Sequence, residues 1–374
     1  MAGIYIHIPF CKQACTYCNF HFSTNLSRKT EMLNAIKREI QDRKEELAQA
    51  DIRTIYFGGG TPSLLSAKEI NDILQTIGGN YKLTEDMEIT LEANPDDLTE
   101  DYLKSLRFET SINRLSIGLQ SFVEEDLKLM NRAHNAKESL KCLDYAHKLD
   151  FYNLSVDLIY GSPHLSNEAW KRNLSIVFDY AIPHLSCYAL TVEEKTALAH
   201  LIQKKQIQNL SEDKAAEQFE ILLEQIYKNG YEQYEISNFC RPPHYAKHNT
   251  SYWKGELYMG IGPSAHSFDG KSRRWNLANN ALYLKNMENH IPFYEEELLS
   301  PKDIFNEYML TAFRTKWGVD LNKLAQLSNF EQRHFHKEAA IHLQRGNIIL
   351  DNNTYRLSDS GKLLADNIIS DLFL

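Results

Sequence analysis

The sequence predicts an α/β fold: a partial (β/α)6 barrel of the TIM-like kind, followed by a small winged-helix-like α+β module. Three observations predict it. Over the first two-thirds of the chain, short β-branched runs alternate with longer amphipathic stretches, the pattern of a parallel sheet wrapped by helices. There are six such units, too few for a closed barrel of eight. From Pro301 onward the pattern becomes helix, helix, helix, short hairpin, helix.

Taken in order, the strands are expected at Ile4–Ile8, Thr54–Phe57, Glu88–Leu91, Arg114–Ile117, Leu154–Ile159 and Leu185–Leu190. Helices are expected at Lys29–Ala48, Ser66–Ile77, Thr99–Leu106, Glu124–Met130, Ala136–Leu149 and Asn167–Tyr180. Ser66 with Glu69 forms a capping-box signature, and Thr99 marks a weaker helix start. Each distinctive polar stretch falls at or just after the C-terminal end of a strand. The first strand runs into a cysteine loop, the second into Gly58-Gly59-Gly60-Thr61-Pro62 and the third into Glu92 and Asn94. The fourth ends in Gln120-Ser121, the fifth carries Asp157 and the sixth ends in Tyr188-Ala189. Barrel active sites are assembled at that rim, so these stretches are expected to converge.

The expected organisation is a core over 1–235, an aromatic-rich connecting segment over 236–300 and a C-terminal domain over 301–374. The connecting segment reads as ordered loops rich in rings, Gly, Pro and His. In the last domain Asn347–Leu350 and Thr354–Leu357 flank a turn at Asp351-Asn352-Asn353. Winged helices often bind DNA, but nine Lys and Arg here oppose nine Asp and Glu, which leaves no electrostatic footprint for nucleic acid. The module reads as a packing or substrate-covering domain. The whole chain, at net charge −9, argues the same way.

Hydrophobic residues at 43% and charged residues at 24% are those of a soluble globular protein. No apolar run approaches the roughly 18 residues of a transmembrane segment, and the N-terminus reads as a strand, not a signal peptide. Any membrane contact is expected to be peripheral, through a partner. Six cysteines in 374 residues form no disulfide framework, so a cytoplasmic location is expected. Cys142, Cys187 and Cys240 are expected to be buried, reduced small hydrophobes.

The other three cysteines, Cys11, Cys15 and Cys18, crowd into eight residues with the spacing C-x3-C-x2-C, and Tyr17 directly precedes the last. One short loop can wrap three thiolates around one iron–sulfur cube and leave the remaining iron open to a substrate. Electron-transfer clusters close every iron with four cysteines. A structural zinc site wants four ligands, usually from two separated pairs. The plain alternative is three unrelated buried cysteines. Three glycines after a strand let backbone approach a ligand closely, and the absence of a following Lys-Ser/Thr excludes a Walker A loop.

The cysteine spacing resembles the signature of the radical S-adenosylmethionine (SAM) superfamily, which implies a 4Fe-4S cluster whose open iron chelates SAM. By that resemblance Cys11, Cys15 and Cys18 are the metal ligands. Gly59, Gly60 and Thr61 hold the SAM amino group, and Tyr5, Tyr17 and Ala189 line the pocket. Glu92 and Asp157 suit the ribose hydroxyls or the amino group, with Gln120 and Arg132 completing the polar shell. Singly, each has a mundane reading, such as a turn cap for Asp157 or a solvated surface for Arg132.

A narrower resemblance rests on Ile6–Cys11, Gly58–Ser63, Asn113–Ser121, Asn131–His134, Asp157–Gly161 and Tyr188–Thr191. These look like the oxygen-independent coproporphyrinogen III oxidase family, essentially end to end. The decarboxylating oxidases carry a further Cys two residues after the third cluster ligand, where this chain has Phe20. The heme chaperone branch carries His-Asn-x-x-Tyr-Trp, matched by His248–Trp253. The resemblance implies a heme site at His248, Tyr252 and Trp253, since imidazole is a common heme ligand and aromatic faces can stack on a porphyrin. Taken alone, the same residues read as a satisfied His and a core Trp; Cys240 is a rival ligand. The expected partners are heme, heme-accepting apoproteins and a reduced flavodoxin or ferredoxin as electron donor. The expected activity is SAM cleavage at most, without oxidase activity. The rivals are a true coproporphyrinogen III oxidase and, in another class, a radical SAM methyltransferase or cyclopropanase.

Overall fold

The computed structural model describes all 374 residues. Six parallel strands form the middle of one 12-stranded sheet: β1 (Ala2–Ile8), β2 (Ile52–Gly59), β3 (Leu83–Ala93), β4 (Arg114–Gln120), β5 (Leu154–Tyr160) and β6 (His184–Ala189). They lie side by side in chain order, each parallel to the next. The crossovers carry α1 (Lys29–Asp42), α2 (Ala67–Gly78), α3 (Glu100–Glu109), α4 (Glu124–Leu129), α5 (Ala136–Lys148) and α6 (Asn167–Asp179). The helices lay apolar stripes, such as Ile70, Ile73 and Ile77 of α2, on one face of the sheet. Caps fix their starts. Ser66 and Glu69 cap each other at α2, Asn135 and Glu138 at α5, and Ser166 caps α6.

The helix expected over 29–48 stops at Asp42. There Arg43 turns inward, 4% exposed, to donate to Glu39 at 2.9 Å and to the Gly260 carbonyl at 2.7 Å.

The sheet stays open. After β6 come α7 (Ala197–Gln203) and α8 (Glu212–Lys228), and β7 (Glu232–Gln233) and β8 (Asn238–Cys240) then extend the β6 edge antiparallel. The chain crosses the molecule through α9 (Lys247–Trp253) and adds β9 (Leu257–Ile261) parallel to β1 on the opposite edge. β10 (His266–Phe268), β11 (Ser272–Asn276), α10 (Asn280–Glu288) and β12 (Tyr294–Leu298) complete that edge, the strands antiparallel. The stretch read as connecting loops therefore supplies five strands and two helices. The strands escaped the sequence reading because they are short and, in β12, almost wholly exposed, so no apolar alternation marks them.

The C-terminal residues run α11 (Pro301–Phe313), β13 (Val319–Asp320), α12 (Leu321–Leu324), α13 (Asn329–Gln344), β14 (Ile348–Asp351), β15 (Thr354–Leu357), α14 (Asp359–Lys362) and α15 (Ala365–Asp371). The strand order β13-β15-β14 and the three preceding helices are those of a winged helix. Asp351 pairs with Thr354, so the wing turns on Asn352 and Asn353, both at positive φ. These residues pack a core of their own around Phe305, Phe313, Phe335 and Tyr355.

Candidate active site at the strand ends

β1 ends in Pro9-Phe10 and delivers the chain into the cysteine loop. The loop is pinned by backbone bonds from Cys11 N–H to the Ser23 carbonyl at 3.1 Å and from Thr16 N–H to the Met130 carbonyl at 3.1 Å. Cys11, Cys15 and Cys18 are free and partly exposed. Burial, with the neighbouring thiols adding to it, pushes Cys11 up to about 11, against a hydrogen bond from Thr61 and the charge of Arg132. Burial also raises Cys18. Nowhere do three His, Cys, Asp or Glu side chains converge tightly enough for a single metal ion. A cubane takes each thiolate on a separate iron corner, and the three thiols stand on one short loop.

The glycine run packs directly under that loop. An added Cβ on Gly60 would lie 2.5 Å from the Phe10 carbonyl, and one on Gly59, at φ +104°, would lie 2.6 Å from the His7 ring. Gly60 N–H donates to the Ile8 carbonyl and Thr61 N–H to the Phe10 carbonyl, at 2.9 and 2.7 Å. Arg132 reaches over from the far side of the loop. It donates to Cys15 Sγ at 3.2 Å, Asn94 Oδ1 at 2.6 Å and the Gly118 carbonyl at 2.8 Å. Gln120 sits at a bulge ending β4, at φ +65°. Tyr17 packs beside Leu127, Met130 and Leu190, and Ala189 ends β6 opposite Tyr160.

Below the rim lies a cavity of about 230 Å3, lined among others by Tyr5, Tyr56, Glu92, Arg114, Asp157 and Tyr188. Tyr56 Oη donates to Glu92 Oε1 at 2.7 Å. Burial pushes the Glu92 carboxyl up to about 7, with the Tyr56 bond and Arg114 opposing and Asp157 adding to the rise. Burial pushes Asp157 up to about 6, against a hydrogen bond from Ser186 and the charges of Arg114 and Arg132. Sequence reasoning assigned no role to Tyr56 or Arg114. Their alternation with Gly58 and with Ser116 on inward-facing strand positions was the available signal.

The His-Asn-x-x-Tyr-Trp stretch does not join the rim. It is α9, which plugs the opposite opening, where β1, β2 and β3 begin. The Glu88 carboxylate accepts from the N–H groups of Lys247 and His248, both at 3.0 Å, and so caps the helix. His248 is 1% exposed, hydrogen-bonded through Nδ1 to Thr54 Oγ1 and through Nε2 to Tyr252 Oη, both at 2.7 Å. Burial drives its imidazole down to about 3. It stacks on Tyr56, with ring centroids 5.0 Å apart, and faces the floor of the cavity. Tyr252 packs edge-on to Tyr258, and Trp253 is half-buried in the last helical turn. In this arrangement both ring nitrogens of His248 are engaged by hydroxyl groups, one of which donates to the imidazole lone pair. Cys240, the rival ligand, is fully buried, and burial pushes its thiol up to about 12.

The radical SAM superfamily description matches residues 5–175. The heme chaperone HemW of Bacillus subtilis (strain 168) is 33% identical over 329 residues, covering 87% of this chain and 86% of its own length. That of Lactococcus lactis subsp. lactis (strain IL1403) is 31% identical over 371 residues, covering 99% and 97%. Among solved structures, the coproporphyrinogen III oxidase HemN of Escherichia coli, a radical SAM enzyme, superposes with a TM-score of 0.85 over all of this chain and 90% of that one. At 22% identity that likeness speaks to fold alone. With its cysteine loop, glycine run and strand-end polar groups gathered on one rim, the chain belongs to the radical SAM superfamily and, within it, to the family of the HemW heme chaperones.

Proposed function

We infer that this protein binds heme and hands it to heme-accepting apoproteins, from a scaffold that also holds a 4Fe-4S cluster and SAM. The observation that carries the reading is the near end-to-end similarity to heme chaperones, beyond the core that all radical SAM proteins share. Cys11, Cys15 and Cys18 would ligate three irons. The cluster, when bound, offers an open iron that chelates SAM and can pass it an electron, so a reduced flavodoxin or ferredoxin is the expected donor. Gly59, Gly60 and Thr61 shape the edge where the amino group would lie, and Arg132, steadied by Asn94, would present a guanidinium to the carboxylate. Glu92, Gln120 and Asp157 would face the ribose, with Tyr5, Tyr17 and Ala189 as walls. The site belongs in a reducing cytoplasm, with membrane contact only through partners. Residues 301–374 act as a covering domain, tied to the core through Glu307 and Lys316.

The test is anaerobic reconstitution followed by hemin titration. About four irons and four sulfides per chain and a stoichiometric Soret complex are expected. Absence of that complex, or anaerobic turnover of coproporphyrinogen to protoporphyrinogen, would favour the oxidase instead. Phe20, 71% exposed beside the cluster loop, supplies no fourth thiol there.

A further inference from the structure

Two arginines of this protein are buried, and their surroundings differ. Arg43 is met by carboxylate oxygens of Glu39 at 2.9 Å and Glu46 at 2.6 Å. Arg114, 2% exposed, makes no hydrogen bond, and no carboxylate oxygen lies within 4.0 Å of its guanidinium. Its charge reaches Glu92 and Asp157 through space only. Burying a cation is costly unless an opposite charge joins it. We propose that the floor of the interior cavity is a carboxylate-binding site, in which the Arg114 guanidinium takes a ligand carboxylate with Ser116 and Asn249 beside it.

Register separates this site from the one at the rim. Arg114 opens β4 opposite Thr90 of β3. Ser116 follows on the same face, opposite Glu92 of β3 and Ser155 of β5. Gly118, whose carbonyl holds Arg132, stands four residues further along the strand, about 13 Å away at the rise of an extended chain. Arg132 is thus the cation of the rim, already engaged by Cys15, Asn94 and Gly118, and Arg114 is the cation of the floor. From the other side, α9 brings His248 and Asn249 to the same cavity.

The groups left free in the lining are donors. The Ser155 hydroxyl is bonded to His184 at 2.6 Å, that of Ser186 to Asn238 at 2.9 Å, and Tyr56 donates to Glu92. Both nitrogens of His248 are taken. The Ser116 hydroxyl and the Asn249 amide have no protein partner, and with Arg114 they turn O–H and N–H groups to one space. The two carboxyls of the cavity, which burial lifts to about 7 and about 6, keep their protons well above the ordinary carboxylate range. A carboxyl that keeps its proton donates to an anion instead of repelling it.

Charge and size choose the ligand. A guanidinium fork matches a planar carboxylate with two parallel bonds, whereas a doubly charged phosphate would bring two charges to one cation. The cavity, about 230 Å3, takes a small monocarboxylate or the carboxylate end of a longer molecule, and is too small for a macrocycle. It reaches solvent at Tyr188, 44% exposed. The carboxylate therefore comes from one of two sources, a free monocarboxylate or a propionate arm of a porphyrin held outside the cavity. Only the second source rests on the chaperone reading above.

The first arm of the experiment follows thermal unfolding of the full-length, reconstituted, heme-free protein in acetate, acetamide and sodium chloride at matched ionic strength. Acetamide has the shape of acetate without its charge. Acetate should raise the melting temperature saturably, acetamide and chloride should not, and Arg114→Gln should abolish the acetate effect. The comparison of acetate with acetamide needs only the wild type, so it holds should Arg114→Gln fail to fold. A purely structural role for Arg114 would shift the melting temperature equally with and without acetate. The second arm titrates hemin and hemin dimethyl ester. If a propionate enters, the wild type should bind the ester about tenfold more weakly and Arg114→Gln should bind the two alike. Acetate protection without discrimination against the ester assigns the site to a free carboxylate. Equal effects of acetate and acetamide, together with equal affinity of the wild type for hemin and its ester, overturn the site. A wild type that binds no hemin removes the chaperone reading and leaves the acetate result to decide the site alone.

Discussion

Glu92 and Asp157 are carboxyls held in a polar cavity, and their ionisation links folding to pH. Glu92 faces Tyr5, Tyr56, Arg114, Asp157 and, from the floor, His248 and Tyr252; Asp157 faces Arg114, Arg132, Ser186 and Tyr188. Burial, the largest influence on both, lifts them to about 7 and about 6, whereas an unfolded chain ionises them near about 4. The folded apo protein thus retains protons that the unfolded chain releases. The stability from that difference is complete below about pH 4 and is lost as pH rises through the folded values. The apo protein should therefore melt at progressively lower temperature between about pH 5 and pH 8. Glu92→Gln, fixed in a neutral form, should flatten that decline, and identical slopes in thermal scans of the two proteins would refute the account. At the same scale, alanine at Cys11, Cys15 or Cys18 should each abolish iron retention after anaerobic desalting. Alanine at Cys142, which is buried against Leu143 and Ala146 in α5, should leave iron content unchanged.

At the scale of elements, contacts between segments decide what local sequence could not. All six parallel strands were legible because β-branched residues alternate with helix signals, and strands such as β1, β4 and β5 are buried on both faces. The rim was legible because chemistry-bearing residues follow strand ends. The place of α9 was not. His248–Trp253 can be read as a ligand motif or as packing, and where the helix sits depends on the carboxylate of Glu88, some 160 residues earlier. Ala246 at the N-cap has no side chain to cap the helix, so Glu88 does that work from β3. Glu88→Ala would leave the buried His248 N–H and the partly buried Lys247 N–H unpaired and should cost about 2 kcal/mol, seen as a lower denaturation midpoint. It should also uncover His248 and Tyr252 in hydrogen exchange ahead of global unfolding. Gly60→Ala forces a Cβ against the Phe10 backbone, which cannot swing aside as a side chain could. It should cost about 1–3 kcal/mol and lower iron content, because the cysteine loop rests on that contact.

Across the whole molecule, one buried ionic knot joins parts of the chain far apart in sequence. Glu39 of α1 is fully buried and accepts from Arg43 at 2.9 Å, Gly262 N–H at 2.8 Å, Asn276 at 2.8 Å and Tyr283 at 2.6 Å. Arg43 continues to the Gly260 carbonyl and to Ser267. The first crossover helix thereby clamps β9, β10, β11 and α10 onto β1. No local pattern announced this, since Glu39 looks like any polar residue on an amphipathic helix. Burying such a pair stabilises little by itself, but removing one member strands the other charge and costs about 3–5 kcal/mol. Glu39→Ala should therefore destabilise more than any surface charge substitution on α1. If the clamp is what holds the edge, the damage should be uneven: the amides of β9–β11 should exchange faster than those of β3–β5, whose strands touch none of these groups. Hydrogen exchange resolved by peptide reads this directly. Equal acceleration across the sheet would mean that the knot supports the barrel as one body rather than fastening an edge to it.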